Sequence, residues 1–163
     1  MLARSKSLEL AIPARPEYVA VVRLVVASLA ASRRNLAADR IDDLKLAVSE
    51  ACTNAIEANQ GVDAEQSEPV FVSCWEAPER FEVCVADSGT GFDPSNLSAH
   101  PPVTDPERLT FERGLGIPLI RSLVDELRFD STPSGTQVWM TIFGGPGSGD
   151  ATTEIVRTVV TRD

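Results

Sequence analysis

The apolar run Phe81-Glu82-Val83-Cys84-Val85-Ala86 empties into Asp87-Ser88-Gly89-Thr90-Gly91. β-branched and aromatic residues make the run a strand, and the two glycines turn the chain out of the sheet just beyond a carboxylate. A second β-rich run, Val70 to Trp75, lies upstream across Glu76-Ala77-Pro78-Glu79, so the two predict an antiparallel hairpin. Pairing Trp75 with Phe81 puts Phe81, Val83, Val85 and Asp87 on one face. Asp87 then points at whatever covers that face.

The covering layer is helical. Pro16-Glu17 opens a helix whose stripe is Tyr18, Val21, Val22, Val25, Val26 and Leu29, and Ser32-Arg33-Arg34-Asn35 ends it. Asp39 is the expected N-cap of a second helix, with Ile41, Leu44, Ala47, Val48, Ala51, Ala55 and Ile56 buried. Glu50 and Asn54, four apart, stack at the margin of that buried face. A third helix is predicted over Gly114 to Glu126. Leu8 to Ile12 reads as a first strand. Leu127 to Ser131 and Gln137 to Phe143, around the Thr132-Pro133-Ser134-Gly135 turn, close the sheet. Phe92 to Glu112 carries four prolines and no sustained period, which marks a lid or a disordered loop. Gly144 to Gly149 reads as a flexible linker, and Ala151 to Asp163 fits either a disordered tail or an added strand.

Composition narrows the function classes. A chain of 163 residues predicts one domain, and a net charge of -9 argues against direct nucleic-acid binding and suits a basic protein partner. No apolar run reaches membrane-spanning length and Leu8-Ile12 is too short for a signal-peptide core, so the expected location is the cytoplasm, with no membrane contact. Cys52, Cys74 and Cys84 show no CxxC spacing, and His100 is the single histidine. A disulfide framework, a zinc site and a Ser-His-Asp triad are therefore all poor readings. Neither GxxxxGK[ST] nor a complete GxGxxG occurs.

Four motifs carry chemistry. A strand-end carboxylate at Asp87 can accept a hydrogen bond from an exocyclic amino group such as adenine N6 and opposes the guanine carbonyl. Gly89 and Gly91 remove Cβ atoms where a ligand or backbone comes close. Asn54 offers a neutral oxygen to Mg²⁺, and Glu50 can take a proton from an attacking hydroxyl. Gly114-Leu115-Gly116 at a helix start presents free N–H groups to an anion, with Arg113 adding charge. Gly135-Thr136, leading into a strand, is the weakest signal. Each motif alone also fits a plain turn, a solvated Glu–Asn pair or a loop-to-helix junction. In this order they read as walls of one nucleotide pocket.

Ser49-Glu50-Ala51-Cys52-Thr53-Asn54-Ala55-Ile56, Asp87-Ser88-Gly89-Thr90-Gly91-Phe92, Arg113-Gly114-Leu115-Gly116-Ile117 and Gly135-Thr136 resemble the Bergerat (GHKL, histidine-kinase-like) ATP-binding domain. Within it the chain looks closest to the anti-sigma-factor serine/threonine kinases. The resemblance implies an α+β fold, an α/β sandwich with helices on one face of a mixed, mainly antiparallel sheet. It implies a domain over residues 1–143 with a lid at about 92–113, followed by a linker and tail over 144–163. It implies ATP and Mg²⁺ as cofactors, Asn54 on the metal, Glu50 as catalytic base and Asp87 on adenine N6. Gly89 and Gly91 would line the base, Arg113, Gly114, Leu115 and Gly116 the phosphates, and Thr136 the adenine side. The activity implied is transfer of the ATP γ-phosphate to an anti-sigma-factor antagonist, with sequestration of a sigma factor otherwise and homodimerisation. Arg23 aligns with a sigma-contacting arginine. Some members carry a histidine where this chain has Ala58-Asn59. The alternative functions are a non-catalytic, ATP-dependent binding module of the same fold and the ATPase domain of a histidine kinase or chaperone.

Overall fold

The structure, a computed structural model, describes residues 4–59, 67–89, 116–145 and 157–159. Strand β1 (Ser5–Ile12) leads through a short 3-10 helix, Pro16–Tyr18, into α1 (Val19–Ala31) and then α2 (Ala38–Asn59). The hairpin β2 (Val70–Ala77) and β3 (Arg80–Asp87) follows, then α3 (Gly116–Leu123), β4 (Glu126–Thr132), β5 (Gly135–Phe143) and the short β6 (Arg157–Val159). The strands form one sheet in the order β1-β2-β3-β5-β4-β6, antiparallel except for the β4–β6 pair. The mixed, mainly antiparallel sandwich expected of the chain is what it adopts.

Strand alternation builds the core. Phe81, Val83 and Val85 of β3, Val70, Val72 and Cys74 of β2, and Val138, Met140 and Ile142 of β5 bury one face of the sheet. Against it pack Val22, Val26 and Ala30 of α1, the long apolar edge of α2 from Leu44 to Ile56, and Ile120 of α3. The opposite face is shielded by long side chains. There Trp75 and Trp139 stack with ring centroids 4.8 Å apart, and the Arg4 guanidinium lies 4.6 Å from the Trp75 centroid.

Several expectations need correction. The hairpin turn is the two-residue Pro78–Glu79, closed by Ala77 opposite Arg80, so Trp75 pairs with Glu82 and Phe81 with Glu76. This slip of one residue leaves the facing of Asp87 intact, because facing follows from alternation along β3 itself. Helix α2 begins at Ala38, where the Ile41 N–H reaches the Ala37 carbonyl at 3.1 Å, so Asp39 lies within the first turn and is not the cap. Helix α3 stops at Leu123, short of Glu126, because the chain there enters β4. Val21 is 51% exposed and Leu24 68%, so part of the apolar surface of α1 faces outward. The start of the expected linker is tied down: Gly144 N–H donates to the Glu79 carbonyl at 2.9 Å and Gly145 N–H to the Asn35 carbonyl at 3.1 Å. In the C-terminal stretch, residues 157–159 do add a strand, parallel to β4. Gly91, His100, the 92–113 stretch, Gly114 and Leu115 lie outside the described residues.

Candidate nucleotide site

Helix α2 is the wall to which both Gly116 and the segment leaving β3 come. Its Ala47, Val48, Ala51, Cys52, Ala55 and Ile56 are buried, which leaves Glu50 and Asn54, one turn apart, half-buried at the edge of the apolar stripe. Among the described residues, α3 begins beside them. A methyl built on Gly116 would lie 3.0 Å from Asn54 Nδ2 and 3.3 Å from both Asn54 Oδ1 and Glu50 Oε2. The position thus leaves a cradle that a Cβ would fill, bounded by a carboxamide, a carboxylate and the start of a helix.

The other end of the site lies one to two turns further along α2. There the segment leaving β3 passes so close that a methyl on Gly89 would sit 2.8 Å from the Ala58 carbonyl oxygen and 2.9 Å from its Cβ. The Gly89 N–H donates to Asp87 Oδ1 at 2.9 Å. Burial pushes the Asp87 carboxyl above its ordinary value, while the Gly89 and Thr136 N–H groups pull it back. Thr136, buried, stands opposite Asp87 in the β3–β5 ladder, its Oγ1 3.2 Å from Ser131 Oγ. Gly135 has φ +150°, and a Cβ on it would run into the Asp87 carbonyl, so this turn demands glycine.

The structure therefore brings Glu50, Asn54 and Gly116 to one point, and Asp87, Gly89 and Thr136 to another, along a single helix. Gly91, Arg113, Gly114 and Leu115 lie outside the described residues. Sequence reasoning missed Asn59 as part of this site. Its Oδ1 accepts the Ser88 N–H at 2.9 Å, and its Nδ2 donates to the carbonyls of Glu68 and Pro69 at 2.8 and 3.3 Å. No local pattern announces bonds to residues that far away in the chain.

Among the described residues no group of three or more His, Cys, Asp or Glu could hold a metal. The donor set still fits Mg²⁺, which takes few protein ligands and completes its shell with phosphates and water. Cys52, Cys74 and Cys84 are buried free thiols that burial pushes up to about 12, so they stay protonated at neutral pH and have no part here. Among the described residues no helix is long and apolar enough to cross a membrane.

A sheet covered on one face by helices, with a carboxylate–carboxamide pair and a glycine-lined strand end along one of them, is the framework of a nucleotide-binding domain. Residues 12–142 match the family described as histidine kinase-like ATPase domain, and the chain belongs to that family. Its place within it is with the serine-protein kinases RsbW. It is 40% identical over 141 residues to that of Bacillus pumilus (strain SAFR-032), covering 83% of this chain and 85% of the relative. It is 41% identical over 138 residues to that of Bacillus velezensis, covering 82% and 83%. In fold it is similar to the structure of the RsbU and RsbW domains of Rv1364c from Mycobacterium tuberculosis. There the TM-score is 0.61 at 20% identity over 85% of this chain and 33% of that one. The histidine kinase domain of a blue-light-activated histidine kinase from Erythrobacter litoralis EL346 gives a TM-score of 0.51 at 20% identity over 80% and 61%.

Proposed function

We propose that the chain is an anti-sigma factor and serine/threonine kinase: it transfers the γ-phosphoryl group of ATP to a hydroxyl of an anti-sigma-factor antagonist and otherwise holds a sigma factor. One observation carries the site reading. The missing Cβ of Gly116 opens on both Asn54 and Glu50, so a phosphate chain entering at the start of α3 meets an oxygen ligand and a base together.

Glu50 Oε2 accepts the proton of the attacking serine or threonine hydroxyl as its oxygen forms the new bond to phosphorus and ADP leaves. The Asn54 carboxamide oxygen would hold Mg²⁺. When bound, the metal supplies neutralisation of the charge on the β- and γ-phosphates. Backbone N–H groups of Gly114, Leu115 and Gly116 and the Arg113 guanidinium cradle the phosphate oxygens. At the other end Asp87 accepts the adenine N6–H, Gly89 and Gly91 line the base, and Thr136 completes that side. Positioning and charge compensation supply most of the acceleration.

The outward Val21, Arg23 and Leu24 of α1 form an amphipathic surface suited to a protein partner, and we assign the sigma-factor contact there. A cytoplasmic homodimer, with residues 1–143 as the ATPase domain and β6 returning to the same sheet, completes the reading. The test is incorporation of labelled γ-phosphate into the cognate antagonist, with Glu50→Gln as control. Transfer is expected for the wild type and lost by at least 10²-fold in Glu50→Gln. Tight ATP binding with no transfer to any candidate antagonist overturns the kinase reading in favour of a non-catalytic binding module.

A further inference from the structure

Asn59 is the last residue of α2, and both the oxygen and the nitrogen of its carboxamide are engaged. The oxygen takes the Ser88 N–H at 2.9 Å, and the two amide hydrogens go to the carbonyls of Glu68, at 2.8 Å, and Pro69, at 3.3 Å. One side chain thus joins three segments distant in sequence: the end of α2, the entry to β2 and the exit from β3. Of these bonds, the one to Ser88 bears on ligand chemistry. Ser88 lies between Asp87, whose Oδ1 already takes the Gly89 N–H, and Gly89, whose backbone rests on Ala58. Fixing the Ser88 amide fixes the plane of the Asp87–Ser88 peptide, and with it the direction in which the Asp87 carboxylate leaves the strand.

We propose that Asn59 is a positioning residue for the nucleobase: it holds the β3 exit so that Asp87 meets an amino group at the base's 6-position, and so maintains preference for adenine over guanine. This rests on the assignment of Asp87 to the base in the proposed function. A carboxylate free to swing satisfies either base through water, whereas one held in place leaves a guanine carbonyl opposed and unpaired.

Two substitutions separate positioning from mere support. Asn59→Ala removes the acceptor for Ser88 and both donors. Asn59→Asp keeps the acceptor but sets a carboxylate against the Glu68 and Pro69 carbonyls, so it is the more destabilising change to the fold. Titration of the full chain with ATP·Mg²⁺ and with GTP·Mg²⁺, alongside thermal melting, gives the readout. Asn59→Ala is expected to bind ATP about five- to tenfold more weakly, with GTP affinity little changed and the ATP:GTP ratio lowered to match. Asn59→Asp is expected to melt lower than Asn59→Ala yet to bind ATP closer to wild type. The proposal is overturned if ATP affinity follows melting temperature across the two variants, or if the ATP:GTP ratio does not move. A wild type that binds both nucleotides equally overturns the Asp87 assignment itself, and this proposal with it.

Discussion

Adding one methyl group at Gly116 separates the folding of this chain from its chemistry. The new carbon would lie 3.0 Å from Asn54 Nδ2 and 3.3 Å from Asn54 Oδ1 and Glu50 Oε2, inside ordinary contact distance by a few tenths of an ångström. All three neighbours are ends of side chains, so they can yield without moving backbone. Gly116 also lies outside the left-handed region, so alanine can adopt its conformation. Replacing glycine by alanine within a helix favours the fold by up to about 0.5–1 kcal/mol, less at a first helical position, which offsets part of the crowding. Stability should therefore stay within about 1 kcal/mol of wild type, a shift of roughly 2–4 °C in a domain of this size. Activity has no such compensation. A full 1 Å misplacement at positioned groups costs on the order of 10²-fold in rate, so a shift of a few tenths costs roughly three- to tenfold. The assay pairs a thermal melt with the rate of labelled phosphate transfer. Gly116→Ala should melt normally and transfer at roughly a tenth to a third of the wild-type rate. Gly89→Ala is the contrasting control. Its methyl would meet the Ala58 backbone oxygen at 2.8 Å, which cannot swing away, so it should lose about 1–3 kcal/mol of stability. Wild-type transfer by Gly116→Ala would refute the assignment of this point to the reacting phosphate.

Asp87 and Arg40 give two further tests. Burial holds the folded Asp87 carboxyl above its unfolded value, so its contribution is most favourable below the unfolded pKa and declines as pH rises through the folded one. The melting temperature of wild type relative to Asp87→Asn should accordingly fall as pH rises above about 4, the ordinary aspartate value, while the variant loses affinity for ATP. A wild type that gains on the variant as pH rises would contradict the sign. Arg40 ties the two helices at the end away from the pocket. Its Nη2 lies 2.9 Å from Asp125 Oδ2, and its Nη1 lies 2.9 Å from Asp43 Oδ2 and 3.2 Å from the Leu123 carbonyl. Arg40→Met should cost about 2–3 kcal/mol in urea denaturation, and adding Asp125→Asn should recover part of it by removing the unpaired charge. A double variant no more stable than the single one would show that the loss is packing alone.

What the sequence disclosed and what it hid follow from the range of the interactions. The facing of Asp87 and the edge position of Glu50 and Asn54 depend on periodicity within one element, and both are legible residue by residue. Hairpin register depends on how many residues the turn consumes, and Pro78-Glu79 is a two-residue turn where a Trp75–Phe81 pair would leave five residues between the strands. Val21 and Leu24 are as apolar as Val22 and Val26, so composition alone cannot say which side of α1 the sheet covers. Gly135 looks like any turn glycine until the β3–β5 pairing brings the Asp87 carbonyl against it. Asn59 is hidden for the same reason, since its partners come from two other segments.

The position of these residues along α2 also bears on how the proposed site, in so acidic a chain, would accept a polyanion. Glu50 and Asn59 are nine residues apart, about 13 Å along a helix axis, and the two ends of the site are set by that one rigid element. Both ends carry a carboxylate, Glu50 and Asp87, within a chain of net charge -9. Long-range electrostatics therefore oppose a triphosphate, and attraction must come from short-range groups. A backbone N–H needs no side-chain charge, and the glycine at the start of α3 lets the phosphates approach it closely. In the proposed site, a divalent cation held by the neutral oxygen of Asn54 would compensate the phosphates without adding a carboxylate to the repulsion. An aspartate at position 54 would hold the metal more strongly but would add a third negative charge to the pocket. On the proposed reading, a carboxamide at this position would serve both the metal and the phosphates.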